Sequence, residues 1–140
     1  FLCCGLTAEL EAGADVAVGS RYSKGVTVVN WPMSRLLMSY CASRYVRIVT
    51  GMPVCDATAG FVGYKREVLA AIDFDRIEMV GYGFQIEMKY TAWKMGFRIG
   101  EVPIIFADRT EGTSKMSGGI FGEAFFGVLA LPFRTIARKK

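Results

Sequence analysis

Apolar and polar positions fall in blocks along the chain, and their spacing switches between helical and strand periods. Residues 6–12 have a helical pattern, and Gly13 stands where a helix would stop. Residues 15–19 (D-V-A-V-G) form a short apolar run with β-branched side chains, bounded by Gly13 and Gly19. This is the pattern of a buried strand in a parallel sheet. Ser20, Arg21 and Tyr22 follow at its C-terminal end, and residues 23–30 read as loop. Pro32 suits the first turn of a helix, where its missing N–H would be unpaired in any case. From there to about residue 49, Met33, Leu36, Leu37, Tyr40, Cys41 and Ile48 recur at helical spacing. Arg35, Ser39, Ser43 and Arg47 are spaced by four and line one polar face, and Gly51 with Pro53 ends the helix.

The second half continues the alternation. Residues 55–60 (C-D-A-T-A-G) read as a loop, residues 61–64 as a short strand and residues 66–72 as a short helix. Gly81 and Gly83 precede a second long helix over about residues 84–95, stopped by Gly96. Residues 97–107 are strand-like, and Pro103 within them argues for an edge position or a bulge. Residues 108–119 form a polar loop containing glycine, followed by an apolar helix and a basic tail. Strands alternating with helices, without an internal repeat or linker, predict one α/β unit.

Composition narrows the chemistry. Of 140 residues, 52% are hydrophobic, enough for one sizeable core. The chain begins with Phe1, which suggests a fragment or a processed product. There is no histidine, which removes Ser-His-Asp and Cys-His nucleophile schemes and the usual zinc sites. Four cysteines without a C-x-x-C pair read as small buried hydrophobes in a reducing compartment. The net charge of +4, with Arg134, Arg138, Lys139 and Lys140 grouped at the C-terminus, suits an anionic membrane surface or a phosphate ligand better than nucleic acid. Absent too are G-x-G-x-x-G and a P-loop, so dinucleotide and Walker-type sites lack support here.

Candidate ligand groups collect at strand ends, where open α/β sheets bind ligands. One strand runs into Ser20-Arg21-Tyr22. The last runs into Asp108-Arg109, followed by Gly112, Ser114 and Lys115. In a parallel sheet Arg21 and Arg109 share one edge, and Arg35 with Ser39 joins them from the following helix. Such a set suits a phosphate-bearing ligand, although surface pairing with Asp and Glu explains any single arginine equally well. Asp56 and Thr58 in the C-D-A-T-A-G loop can orient an arginine, bind a ligand hydroxyl, or simply build an Asx-turn. Gln85 and Glu87 open the second long helix, where backbone N–H groups meet polar atoms, while Phe84, Met88 and Ala92 have core spacing. Glu87 also reads as a salt-bridge partner of Lys89 or Lys94. The apolar run 120–133 is shorter than the ~20 residues that span a bilayer. With the basic tail, it reads as an amphipathic helix in the membrane interface, the alternative being a core-packing terminal helix.

Taken in order, V-G-S-R-Y (18–22), Trp31 with Arg35 and Ser39, D-A-T-A-G-F (56–61), G-Y-G-F-Q-I-E-M (81–88), and E-V-P-I (101–104) leading to Asp108-Arg109 and G-T-S-K (112–115) resemble a known family. From about residue 6 onward the chain is similar to the C-terminal part of dolichol- or polyprenol-phosphate mannosyltransferases, inverting family-2 glycosyltransferases of GT-A (Rossmann-like) fold. The resemblance implies transfer of mannose from GDP-mannose to a polyprenyl phosphate, with Mg²⁺ or Mn²⁺ on the diphosphate. It implies that Arg21, Arg35 and Ser39 hold the lipid phosphate. Arg109, with Ser114 and Lys115, would face the donor, and the helix of Gln85 would lie where related transferases keep a catalytic carboxylate. Catalytic roles are thus expected for Arg21, Arg109 and Gln85. Substrate-binding roles are expected for Ser20, Arg35, Ser39, Asp56, Thr58, Glu87, Ser114 and Lys115.

Such an acceptor removes the need for a base, because a phosphate monoester is already anionic near neutral pH (second pKa about 6). The nucleotide-binding half with its metal ligands is expected outside this sequence, so these residues alone should be inactive. Residues 1–117 would then form the acceptor-side part of the transferase domain, and 118–140 the interfacial helix and tail, peripheral at the cytoplasmic face of a membrane. The competing readings are a non-catalytic module binding lipid phosphate or protein at the membrane, an ordinary α/β domain with structural arginines, and a transferase of another hexose.

Overall fold

A computed structural model describes residues 2–23, 28–29, 32–79, 82–107 and 118–133. The chain runs α1 (Leu2–Glu11), β1 (Val16–Ser20), β2 (Val28–Val29), α2 (Met33–Thr50), β3 (Val62–Tyr64), α3 (Arg66–Ala71), a 3₁₀ turn (Phe74–Arg76), α4 (Tyr82–Lys94), β4 (Ile99–Pro103), β5 (Phe106–Ala107), α5 (Gly118–Ala130) and a final 3₁₀ turn (Leu131–Phe133). The expected alternation is present, and the class is mixed α/β.

The sheet itself is also mixed. Its order is β3-β1-β4, with β4 parallel to β1 and β3 antiparallel to it. A wholly parallel sheet, the basis for grouping the strand ends, is therefore corrected at β3. The parallel relation that matters for Arg21 holds, since β1 and β4 run together. Beyond them β2 and β5 form a second parallel pair. The strand expected over 97–107 is thus two pieces. Pro103 has no N–H to donate and ends β4, an edge strand among the described residues, and Ile104 donates its N–H to the Ser20 carbonyl.

β1 is buried along its whole length, because helices cover both its faces. On one face Val16 and Val18 pack with Val68 of α3 and with Met88 and Ala92 of α4. On the other, Ala17 lies between Gly63 and Gly100 in register, and this nearly side-chain-free row admits α1, whose Leu6 and Leu10 approach Gly63. A second core joins Val46 of α2, Met52, Val54 and Ala57 of the following loop, Ile86 and Tyr90 of α4, Val128 of α5 and Leu131 of the final 3₁₀ turn.

The glycines read as helix stops serve as such. Gly51 caps α2 in the left-handed region (φ 72°), and its N–H donates to the Arg47 carbonyl. Gly13 and Gly96 also have positive φ after α1 and α4. Pro32 precedes α2 as its N-cap and is not inside its first turn. Two expectations fail by burial. Cys4 and Cys41 are exposed and Cys55 is half-buried, so these thiols are not core residues. In the polar row of α2, Ser43 is turned into the protein instead of toward solvent.

Candidate phosphate-binding site

The site is built at the C-terminal end of β1, where Gly19 leaves no room for a side chain. A Cβ there would stand 2.7 Å from the Phe61 ring and 3.2 Å from the Phe61 carbonyl oxygen. This close approach, with the Gly19 N–H donating to that carbonyl at 2.8 Å, brings the end of β1 beside the loop 55–60.

Arg21 then meets Asp56 along one edge of its guanidinium. Nε donates to Oδ2 and Nη2 to Oδ1, both at 2.7 Å, and the Arg21 backbone N–H adds a third bond to Oδ2 at 3.0 Å. Nη2 also donates to Thr58 Oγ1 at 3.0 Å. Asp56 is fully buried and the Arg21 side chain is 11% exposed. A bidentate pair of this kind fixes the plane of the guanidinium as well as its position. Of the roles open to Asp56 and Thr58, orienting an arginine is the one the geometry displays.

The loop is held from two other elements. Glu101 of β4 accepts the N–H groups of Cys55 (2.8 Å) and Asp56 (3.1 Å) on Oε1. Lys89 of α4, fully buried, donates from Nζ to the carbonyls of Ala57 (2.7 Å) and Ala59 (2.6 Å). Burial pushes the Lys89 amine down to about 7, with the Asp56 charge partly restoring it, Arg21 lowering it further and Glu101 raising it. Burial also raises the Cys55 thiol, and the Glu101 carboxylate adds to that effect.

Ser20 is buried and accepts the Tyr22 N–H on Oγ at 3.2 Å. Tyr22, whose ring lies 5.3 Å from Arg21 Cζ, donates its hydroxyl to Ser39 Oγ at 2.9 Å. In this way α2 is tied to the end of β1, and Arg35 stands half-buried one turn before Ser39. Gln85 is half-buried one turn before Lys89, on the face of α4 that meets the loop. Glu87 is buried and accepts the Met79 N–H at 3.0 Å, so it ties down the segment entering α4. Arg109, Ser114 and Lys115, with the basic tail, lie outside the described residues.

Sequence reasoning missed Lys89 and Glu101 as parts of the site. Lys89 carried a signal: it lies between Met88 and Tyr90 and three positions before Ala92, on core spacing where a surface lysine is out of place. Among the described residues no three His, Cys, Asp or Glu side chains gather as a metal site would require. No helix there is long and apolar enough to cross a membrane.

No family model matches the chain. It is 50% identical over 120 residues, 86% of its length, to the undecaprenyl-phosphate mannosyltransferase of Micrococcus luteus, and covers 49% of that protein. It is 48% identical over 119 residues, 85% of its length, to the polyprenol monophosphomannose synthase of Mycolicibacterium smegmatis, and covers 45% of that one. The chain thus spans about half the length of the curated relatives it matches. These matches bear out the resemblance carried by the ordered motifs.

Proposed function

We propose that this chain is the acceptor-side half of a transferase that moves mannose from GDP-mannose to a polyprenyl phosphate with inversion, and that the half binds the lipid phosphate. The observation that carries this is the Arg21 guanidinium at the end of β1, held in one plane by Asp56 and Thr58. Asp56 occupies the Nε–Nη2 edge, which aims Nη1 away from the loop. Arg35 and Ser39 on α2 supply further donors from the side tied to Tyr22. The phosphate monoester arrives already anionic, so the site has to align it and offset its charge, which needs no general base. Arg109, with Ser114 and Lys115, is assigned to the donor side, and Gln85, at the start of α4, to the place where related transferases keep a catalytic carboxylate. A divalent cation, Mg²⁺ or Mn²⁺, would neutralise the donor diphosphate through ligands outside this chain.

The membrane is the proposed surrounding of the acceptor, at its cytoplasmic face. Phe126 and Phe133 are 70% and 91% exposed, and Leu129 is exposed beside them. On α2, Met33, Leu37 and Ile48 are likewise exposed. Tyr45 of α2 stacks on Phe125 of α5 with centroids 4.7 Å apart, so the two helices lie side by side. Apolar side chains left in solvent on adjoining helices suit a lipid surface.

The test is GDP-mannose-dependent labelling of polyprenyl phosphate by the full-length protein. Arg21→Ala is expected to lower kcat/KM for the lipid by about a hundredfold. Undiminished transfer by this variant would remove Arg21 from the acceptor site.

A further inference from the structure

Lys89 has no part in the chemistry just proposed, yet it is buried to 0% exposure beneath the loop. Taking an amine out of water costs free energy, and a methionine would fill similar space without that cost. A methionine cannot donate hydrogen bonds, and the acceptors of Lys89 are specific: the carbonyls of Ala57 and Ala59, one on each side of Thr58. Thr58 accepts from Arg21, and its hydroxyl lies 3.4 Å from Asp56 Oδ1, to which it donates. Glu101 fixes the first residues of the same loop through the Cys55 and Asp56 N–H groups.

We propose that Lys89 is a positioning residue of the acceptor site, holding the backbone on both sides of Thr58 so that Asp56 and Thr58 converge on Arg21. The amine can do this in either protonation state, since an ammonium has three N–H donors, a neutral amine has two, and two carbonyls are to be met. Asp56, Arg21 and Glu101 are the charged groups that act on it. The inference rests on the acceptor role of Arg21, and its test separates the two.

In the full-length protein, KM and kcat for polyprenyl phosphate would be measured for wild type, Lys89→Met, Arg21→Ala and the double variant. Lys89→Met is expected to raise the acceptor KM by about tenfold with kcat changed far less. In the Arg21→Ala background the same change should add almost nothing, because the two residues act through one contact. Equal increments in both backgrounds, or a fall in kcat alone, would make Lys89 a general core residue and overturn the proposal. An Arg21→Ala effect without a Lys89→Met effect overturns this inference alone. An unchanged KM in Arg21→Ala overturns the acceptor reading and this inference with it. Should Lys89→Met fail to fold, Lys89→Gln keeps N–H donors within a shorter side chain and carries the same cycle. Its expected KM rise is smaller and again confined to the Arg21 background, and an unchanged KM overturns the proposal.

Discussion

Lys89 and a set of weak acids, Tyr90 buried and Tyr45, Tyr64 and Cys55 half-buried, give single residues opposite grips on stability as pH changes. The Lys89 amine titrates near 10.5 when exposed and about 7 when folded. Between those values the unfolded chain holds more protons, so stability gains from Lys89 as pH rises through that window. Tyr45, Tyr64 and Tyr90 have ordinary values of 10.0, and Cys55 of 9.0; burial raises all four. The stability they contribute is therefore present at neutral pH and lost as pH climbs past those values. Urea midpoints of the chain are expected to rise from pH 7 toward 9.0 and fall above 10.0, and Lys89→Met should abolish the rise. The residues at this scale were unevenly legible. Arg21, Asp56 and Thr58 stood out as motifs, but their pairing spans 35 and 37 positions, and no local pattern encodes a partner that distant. Glu101 read as part of a strand, and its carboxylate faces the loop only because β4 runs parallel to β1.

Elements with local causes were legible in the sequence, and those set by distant packing were not. Gly13, Gly51 and Gly96 end helices because a left-handed residue is cheap only for glycine. The apolar run of β1 announced burial on two faces. The antiparallel turn of β3 and the break between β4 and β5 are decided by what lies alongside them. The contact between α4 and α5 is another such case. Met79, its N–H held by Glu87, lies between Gly83 of α4 and Gly127 of α5. A Cβ on Gly83 would come 2.5 Å from its Cε and 3.1 Å from its Cβ, which cannot swing aside as the Cε can, and one on Gly127 would come 2.7 Å from the Cε. Gly83→Ala, worth about 1 kcal/mol of helix propensity in an open site, is therefore expected to destabilise the chain. Met79→Ala should cost about 2–5 kcal/mol by leaving a cavity. The double variant should lose less than the sum, because each change relieves the other. Denaturant unfolding of the four proteins measures that coupling.

Across the whole molecule, one face of β1 is covered by α1 and the other by α3 and α4, while α2 and α5 build the second core with α4. Phe126 on the outward side of α5 and Phe133 in the final 3₁₀ turn are left largely in solvent. Replacing both with Asp should leave the thermal midpoint within a few degrees, since neither packs inside. Flotation with anionic vesicles should show binding falling by at least about tenfold, and unaltered flotation would argue against the membrane face.

The three anchors of the loop have a practical meaning for anyone dissecting this region. Arg21, Lys89 and Glu101 come from the residue after β1, from α4 and from β4, and they reach the loop across 35, 30 to 32, and 45 to 46 positions. A truncation that stops before residue 101 would keep both members of the Arg21–Asp56 pair and still lose their support. Any piece meant to keep Arg21 and all of these anchors must therefore span at least β1 through β4.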